Sequence, residues 1–292
     1  MDLKALGVFA FLDGMSGADG ETFACKVERL GYSALWITEA AGRETFSHAG
    51  YLLRATERLV VAAGIANVFM REPSTTIRAA RTLAELSGGR YLLGLGVSGK
   101  AGNQMRGLAW EKPYSFMREY LASMKSTQQA APAPAEEPPV VLAAILPRML
   151  SLAATATHGT HTYFVPPEHT ALARKAIGPD KWICAEQAVM LENDPEKARA
   201  AARSYMDFYL RLPDSVYKRN LLALGFEERD FGETLSDRVV DAIVAWGSVE
   251  KIRERIDAQY KAGATHVCIM ALRPEGGLIP DDRALEAMAP GR

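Results

Sequence analysis

The chain has 292 residues, 48% hydrophobic and 24% charged, with a formal net charge of −1; this globular balance supports a sizeable core without covalent staples. So even a charge gives no case for a nucleic-acid or anionic-membrane partner, and no apolar run approaches the roughly 18 residues of a membrane span. Cys25, Cys184 and Cys268 are far apart and lack zinc or redox spacing, and no secretory pattern opens the chain, so the reducing cytoplasm is the expected home.

Strand and helix signals alternate from the start. Residues 6–11 (LGVFAF) read as a first strand, and Asp19 is placed to cap a helix carrying Phe23, Val27 and Leu30 on one face, with Gly31 ending it. Residues 34–38 (ALWIT) give a second strand, followed by a helix through residues 51–54. Residues 59–65 (LVVAAGI) form a third, apolar on both faces as a buried parallel strand should be. Pro73 suits the first turn of the next helix, with Ile77, Ala80 and Ala84 inward and Gly88 as its stop. Residues 91–95 (YLLGL) make a fourth strand that opens into Gly96-Val97-Ser98. A strand running into a glycine-rich loop is one way to bring backbone close to a ligand, so Gly96 and Ser98 are candidate binding residues.

Pro113 starts a helix, and residues 126–139, rich in Pro, Ala, Gln and Glu, read as an exposed connector. Further strands follow at residues 140–144, 162–165 (the weakest), 182–191 and 267–272, with helices starting at Pro147, Asp194, Ser236 and Ser248. Residues 212–235 break the rhythm as a helical insertion. Eight strands, each beside a helix, predict an α/β fold: a single (β/α)8 TIM-type barrel domain spanning residues 1–292. A doubly wound sheet competes, although no G-x-G-x-x-G follows the first strand.

Several polar residues stand out against this frame. Glu39 closes an apolar strand, where it either serves a ligand or pairs with Arg43 or Arg71. Glu186 and Gln187 interrupt another apolar strand and need partners there, from a ligand or from neighbouring strands. His161 near a strand end is a candidate contact for cofactor or substrate. With His158 and His169 it does not make a metal set, because Gly159 breaks the helix that such spacing requires. Ser98 has no base at recognisable spacing, the cysteines read as core residues, and Arg106, Lys112 and Arg118 form a loose basic group after the fourth strand.

The segments GYSALWITEAAGRE (31–44), VVAAGIANVFMREP (60–73) and LAELSGGRYLLGLGVS (83–98) resemble the luciferase-like monooxygenase superfamily. VLAAILPRMLSLAA (141–154), AEQAVML (185–191) and SDRVVDAIVAWGS (236–248) are similar to its branch of coenzyme F420-dependent oxidoreductases of actinobacteria. The resemblance implies a cofactor at the C-terminal ends of the strands. Its ring would rest on a bulge after the third strand with a non-prolyl cis peptide at Gly64-Ile65 and Asn67 nearby. It also implies an anion-binding turn at Ala144, Ile145, Leu146 and Arg148, where a helix begins. Glu186 joins the expected cofactor contacts, and Glu39 and His161 are the candidate catalytic pair.

The sugar-phosphate dehydrogenase of that superfamily carries an acid followed by histidine after strand two and a glutamate after strand four. Here these positions read Glu39-Ala40 and Gly99, so its proton-handling pair is missing. The expected activity is hydride transfer between F420 and a small organic substrate by a cytoplasmic homodimer. An FMN-dependent monooxygenase and a non-catalytic carrier or sensor on the same barrel are the alternatives.

Overall fold

Side chains leave a strand alternately to its two faces, and most strands of this chain are apolar on both. That pattern fits a sheet with one face turned to helices and the other turned in on itself. The computed structural model, which describes residues 1, 3 and 6–290, has β1 (Gly7–Ala10), β2 (Ala34–Ile37), β3 (Val60–Ala63), β4 (Ala66–Asn67), β5 (Tyr91–Gly96), β6 (Val140–Ala143), β7 (Gly159–Thr162), β8 (Trp182–Met190), β9 (Ala245–Trp246) and β10 (His266–Leu272). Parallel pairing runs β10-β1-β2-β3-β5-β6-β7-β8, and β8 bonds back to β10, so eight staves close a barrel. The short β4 resumes the line of β3 against β5, and β9 extends β8.

The helices are α1 (Gly17–Arg29), α2 (Thr45–Ala55), α3 (Pro73–Ser87), α4 (Lys100–Met105), α5 (Pro113–Ser126), α6 (Pro147–Ala156), α7 (Pro167–Ile177), α8 (Pro195–Leu210), α9 (Val216–Ala223), α10 (Asp237–Ile243), α11 (Val249–Lys261) and α12 (Asp282–Ala287). Proline occupies the first turn of α3, α5, α6, α7 and α8, where its missing N–H costs nothing. Asp194, Ser236 and Ser248 cap α8, α10 and α11. The cap of α1 is Ser16, not Asp19: the Ser16 hydroxyl accepts the Asp19 N–H at 3.1 Å, so the aspartate stands one turn inside.

Leu35, Val61, Leu93, Leu142, Ile183 and Val267 point outward and pack with the helices. Phe9, Trp36, Ala62, Leu92, Cys184 and Met270 point inward and fill the barrel. The insertion at 212–235 contains α9 and a 3-10 turn at Glu228–Phe231, and joins the interior cluster through Leu221, Phe231 and Leu235.

One strand differs from expectation. The sixth stave is β7 at Gly159–Thr162, earlier than residues 162–165. Its polar side chains, Thr160, His161 and Thr162, are buried and hide it from a hydrophobicity reading. The aromatic run after it leaves the strand at Phe164, whose φ is +60°. No helix among the described residues is long and apolar enough to cross a membrane.

Candidate active site

Strand β3 stops at Ala63, and the chain regains its place in the sheet only at Ala66. Between them the Gly64-Ile65 peptide is cis. The break fits because β5 offers glycines: a β-carbon on Gly94 would lie 2.0 Å from the Ala63 carbonyl oxygen, and one on Gly96 would lie 2.5 Å from Ile65 Cδ1. The room that the sequence pattern reserves at Gly96 for a ligand is therefore filled by Ile65. Gly64 faces the interior, where a β-carbon would meet the Phe9 ring at 2.9 Å.

Glu39 braces this break from the end of β2. One carboxylate oxygen accepts the Asn67 N–H at 2.8 Å and an Arg71 guanidinium N–H at 2.6 Å. The other is paired with the second Arg71 nitrogen and takes the Thr45 N–H at 3.4 Å. The two side chains are 3% and 11% exposed, so this is a buried, bidentate ion pair. Asn67 extends the network: its Nδ2 donates to Asn103 Oδ1 at 2.8 Å, and Asn103 Nδ2 donates to the Val97 and Gly99 carbonyls at 2.9 and 3.1 Å. Arg106 then reaches the Ala40 carbonyl. The loops after β2, β4 and β5 are thus tied together. Arg71, which the sequence offers to Glu39 alongside Arg43, and Asn103, which no local pattern marks, lie 32 and 36 residues from their partners.

His161 lies inside the barrel. Its ring stacks on Trp36 at 4.5 Å and on Phe9 at 5.8 Å. Nδ1 donates to the Cys184 carbonyl at 3.0 Å, which leaves the Nε2 lone pair buried without a partner. Burial pushes its pKa down to about 4, so it is neutral at ordinary pH. Beside it Trp36 Nε1 donates to His266 Nε2 at 3.1 Å, and His266 Nδ1 donates to the Leu3 carbonyl at 2.9 Å.

Glu186 faces inward from β8. Strand β7 ends at Thr162, in register with Ala185, so Glu186 is the next residue of β8 past that end. One carboxyl oxygen accepts the N–H of Phe164, in the loop beyond β7, at 3.1 Å; the other is buried and unpartnered. Burial pushes its pKa up to about 8. Gln187 faces outward and bonds the Ile243 carbonyl and Gln259 in the helical layer. Above Glu186 stands a tyrosine cluster that the sequence reading missed: the Tyr163 hydroxyl bonds those of Tyr205 and Tyr209, each at 2.8 Å. Tyr205 and Tyr209 are spaced i, i+4 on α8 and read locally as a helix face.

The expected anion turn is Ala144 to Arg148. Ala144 is buried, and the Ile145 carbonyl accepts His169 Nε2–H at 2.8 Å. Leu146 precedes α6 without a side-chain cap, and Arg148 is exposed with its guanidinium 4.5 Å above the Tyr114 ring. Ser98 is exposed at φ +54°. The structure thus gathers Glu39, Gly64, Ile65, Asn67 and Gly96 around the break and places Ala144 beside His161, whose carbonyl accepts its N–H at 3.3 Å. Glu186 belongs to the tyrosine side, and Ser98 and Arg148 lie at the surface. His48 borders Gly17, Arg43, Glu44, Ser47 and Tyr51 in a cleft of about 360 Å3, which meets the network above at Glu44, whose carboxylate accepts an Arg71 N–H at 3.2 Å. Among the described residues no cluster of three or more His, Cys, Asp or Glu could hold a metal.

Glu186 and His161, both buried, act on stability in opposite directions. Glu186 titrates at about 8 when folded, against an ordinary 4.5, so across that window the folded chain binds the extra proton and stability falls as pH rises. His161 titrates at about 4 against an ordinary 6.5, so stability rises with pH between those values. The slopes oppose below 6.5, and that of Glu186 remains from 6.5 to 8. The melting temperature of the wild type should therefore drop relative to Glu186→Gln over that interval, as thermal denaturation in matched buffers would record. Parallel curves there would mean that Glu186 ionises normally.

The model of the luciferase-like monooxygenase family matches residues 8–266. The chain is 26% identical over 300 aligned residues to a 5,10-methylenetetrahydromethanopterin reductase of Archaeoglobus fulgidus, covering 88% of this chain and 90% of the relative. In fold it is similar to the coenzyme F420-dependent tetrahydromethanopterin reductase of Methanopyrus kandleri, with a TM-score of 0.76, 19% identity, and 99% and 98% of the two chains covered. It is also similar to an F420-dependent secondary alcohol dehydrogenase solved with an F420-acetone adduct, with a TM-score of 0.75, 15% identity, and 98% and 97% covered.

Proposed function

Because the chain belongs to the luciferase-like monooxygenase family, we propose that it is a coenzyme F420-dependent oxidoreductase that moves a hydride between the deazaflavin and a small organic substrate. The observation that carries this reading is the pairing of two features at the strand ends: the break at Gly64-Ile65, filled by Ile65 over Gly96, and the uncapped start of α6 beside Arg148. A flat ring with an anionic tail suits that pairing: an apolar surface for the ring, and a helix start without a side-chain cap, beside the Arg148 guanidinium, for the tail. The likeness to a putative coenzyme F420-dependent oxidoreductase of Mycobacterium tuberculosis, 23% identical over 84% of this chain and 88% of the relative, supports the same cofactor class.

When bound, the deazaflavin supplies two-electron hydride chemistry. The chain's own residues orient and exclude. In this reading Ile65 and Asn67 back the ring, while Gly96 admits Ile65. Ala144, Ile145, Leu146 and Arg148 receive the tail, with Ser98 at the rim. Glu39 acts by position: both of its oxygens are engaged by Arg71 and backbone N–H groups, so it fixes the segment that carries Asn67. His161, neutral and stacked, forms the floor with Trp36 and Phe9. The reading also takes residues 1–292 as one domain, acting in the cytoplasm as a homodimer.

Calorimetric titration with each cofactor tests it. Purified protein should bind F420 at least about ten-fold tighter than FMN, a difference of about 1.4 kcal/mol. Equal affinity, or preference for FMN, would replace this reading with a flavin-dependent one.

A further inference from the structure

We infer that Glu186 is the general acid of the reaction and that the substrate it serves is an uncharged carbonyl compound, an inference that rests on the F420 reading above. The geometry is specific. Glu186 projects into the barrel just past the end of β7 and is 2% exposed. One oxygen is fixed by the Phe164 N–H, and the other has no partner in the protein. A buried carboxyl with one unpartnered oxygen is costly unless it carries a proton or meets a ligand. A carboxylic acid in this setting has a single O–H to give, and fixing the other oxygen orients it.

The groups facing it make the same point. Tyr163 comes from the loop after β7, Tyr205 and Tyr209 from α8, Tyr217 from α9 and Cys268 from β10. Burial raises the pKa of every one of these hydroxyls and of the thiol, so all are neutral near pH 7, and among the described residues no cation faces the carboxyl. An anionic substrate group placed here would be unpaired, which argues against a phosphate or carboxylate at this point. A carbonyl oxygen is a weak base until hydride reaches its carbon, when it becomes an alkoxide and takes a proton. A neutral acid in apolar surroundings matches that change.

In the reducing direction the step balances as follows. With a reduced deazaflavin held at the strand ends, its hydride would pass to the carbonyl carbon as the C=O π pair moves to oxygen. The Glu186 O–H bond breaks, and its proton goes to that oxygen. An alcohol and oxidised deazaflavin result, and the carboxylate regains a proton from solvent.

Glu186→Gln in the full chain tests this in two ways. Without cofactor, infrared titration of the wild type should show an un-ionised carboxyl C=O band near pH 7 that disappears as pH rises through about 8 and is missing from the variant. Identical wild-type and variant spectra would overturn the inference. With reduced F420 and a panel of aliphatic and aromatic ketones, the wild type should reduce at least one, with a rate that falls above pH about 8. The variant should lose about 100-fold in kcat while its F420 affinity stays within about two-fold. If the wild type binds F420 but reduces no ketone, or if the variant keeps its rate, the inference fails and the cofactor reading stands. If the wild type does not bind F420, both fail.

Discussion

Arg71→Met is expected to cost about 3 kcal/mol of folding stability, because it leaves the Glu39 carboxylate buried and stripped of its counter-charge. Glu39 is only 3% exposed, so water cannot replace the lost guanidinium without opening the loops above it. Two backbone N–H groups, of Asn67 and Thr45, would remain to it, which holds the cost toward the lower end for a broken buried pair. The double variant Glu39→Gln/Arg71→Met should recover part of the loss, since an amide needs no counter-charge, and urea unfolding of the four proteins yields the coupling. A single Arg71→Met variant within about 0.5 kcal/mol of wild type would mean that the pair behaves as an exposed one.

The second large effect is expected at Gly94. A β-carbon there would sit 2.0 Å from the Ala63 carbonyl oxygen, a backbone atom that cannot swing aside. Gly94→Ala should therefore destabilise by about 3 kcal/mol, the upper range for overpacking. Gly17→Ala, in the first turn of α1 with nothing within 4 Å of the added carbon, is the control and should be neutral or slightly stabilising. Equal melting temperatures for the two variants would show that β3 and β5 can separate at little cost.

The barrel was legible because its signals are local. LVVAAGI and YLLGL are apolar on both faces, as a stave with helices on one side and a filled interior on the other must be. Prolines and caps at Pro73, Pro113, Pro147, Asp194, Ser236 and Ser248 mark helix starts by chemistry that acts within one turn. The break at Gly64-Ile65 came from family resemblance, since nothing in GI alone distinguishes it from a plain strand end.

The rest of the candidate site was hidden for physical reasons. The sequence offers Arg43 and Arg71 alike to Glu39, and only closure of the barrel selects Arg71, while the pairing of Asn67 with Asn103 depends wholly on loops brought together by that closure. The β7 strand carries Thr, His and Thr on buried positions, which a hydrophobicity pattern reads as solvent. The tyrosines of α8 meet Tyr163, 42 and 46 residues away, only in the folded chain.

The lashing of the loops after β2, β4 and β5 has a thermodynamic consequence. Asn67, Asn103, Arg71 and Arg106 each spend their hydrogen bonds on neighbouring chain segments, so their rotamers are already fixed when the chain folds. The entropy of immobilising a polar side chain, roughly 0.5–1.5 kcal/mol each, is charged to folding and not to ligand association. A ring arriving on that plate meets a preorganised surface, and its affinity reflects its own contacts with little deduction for ordering the protein beneath it.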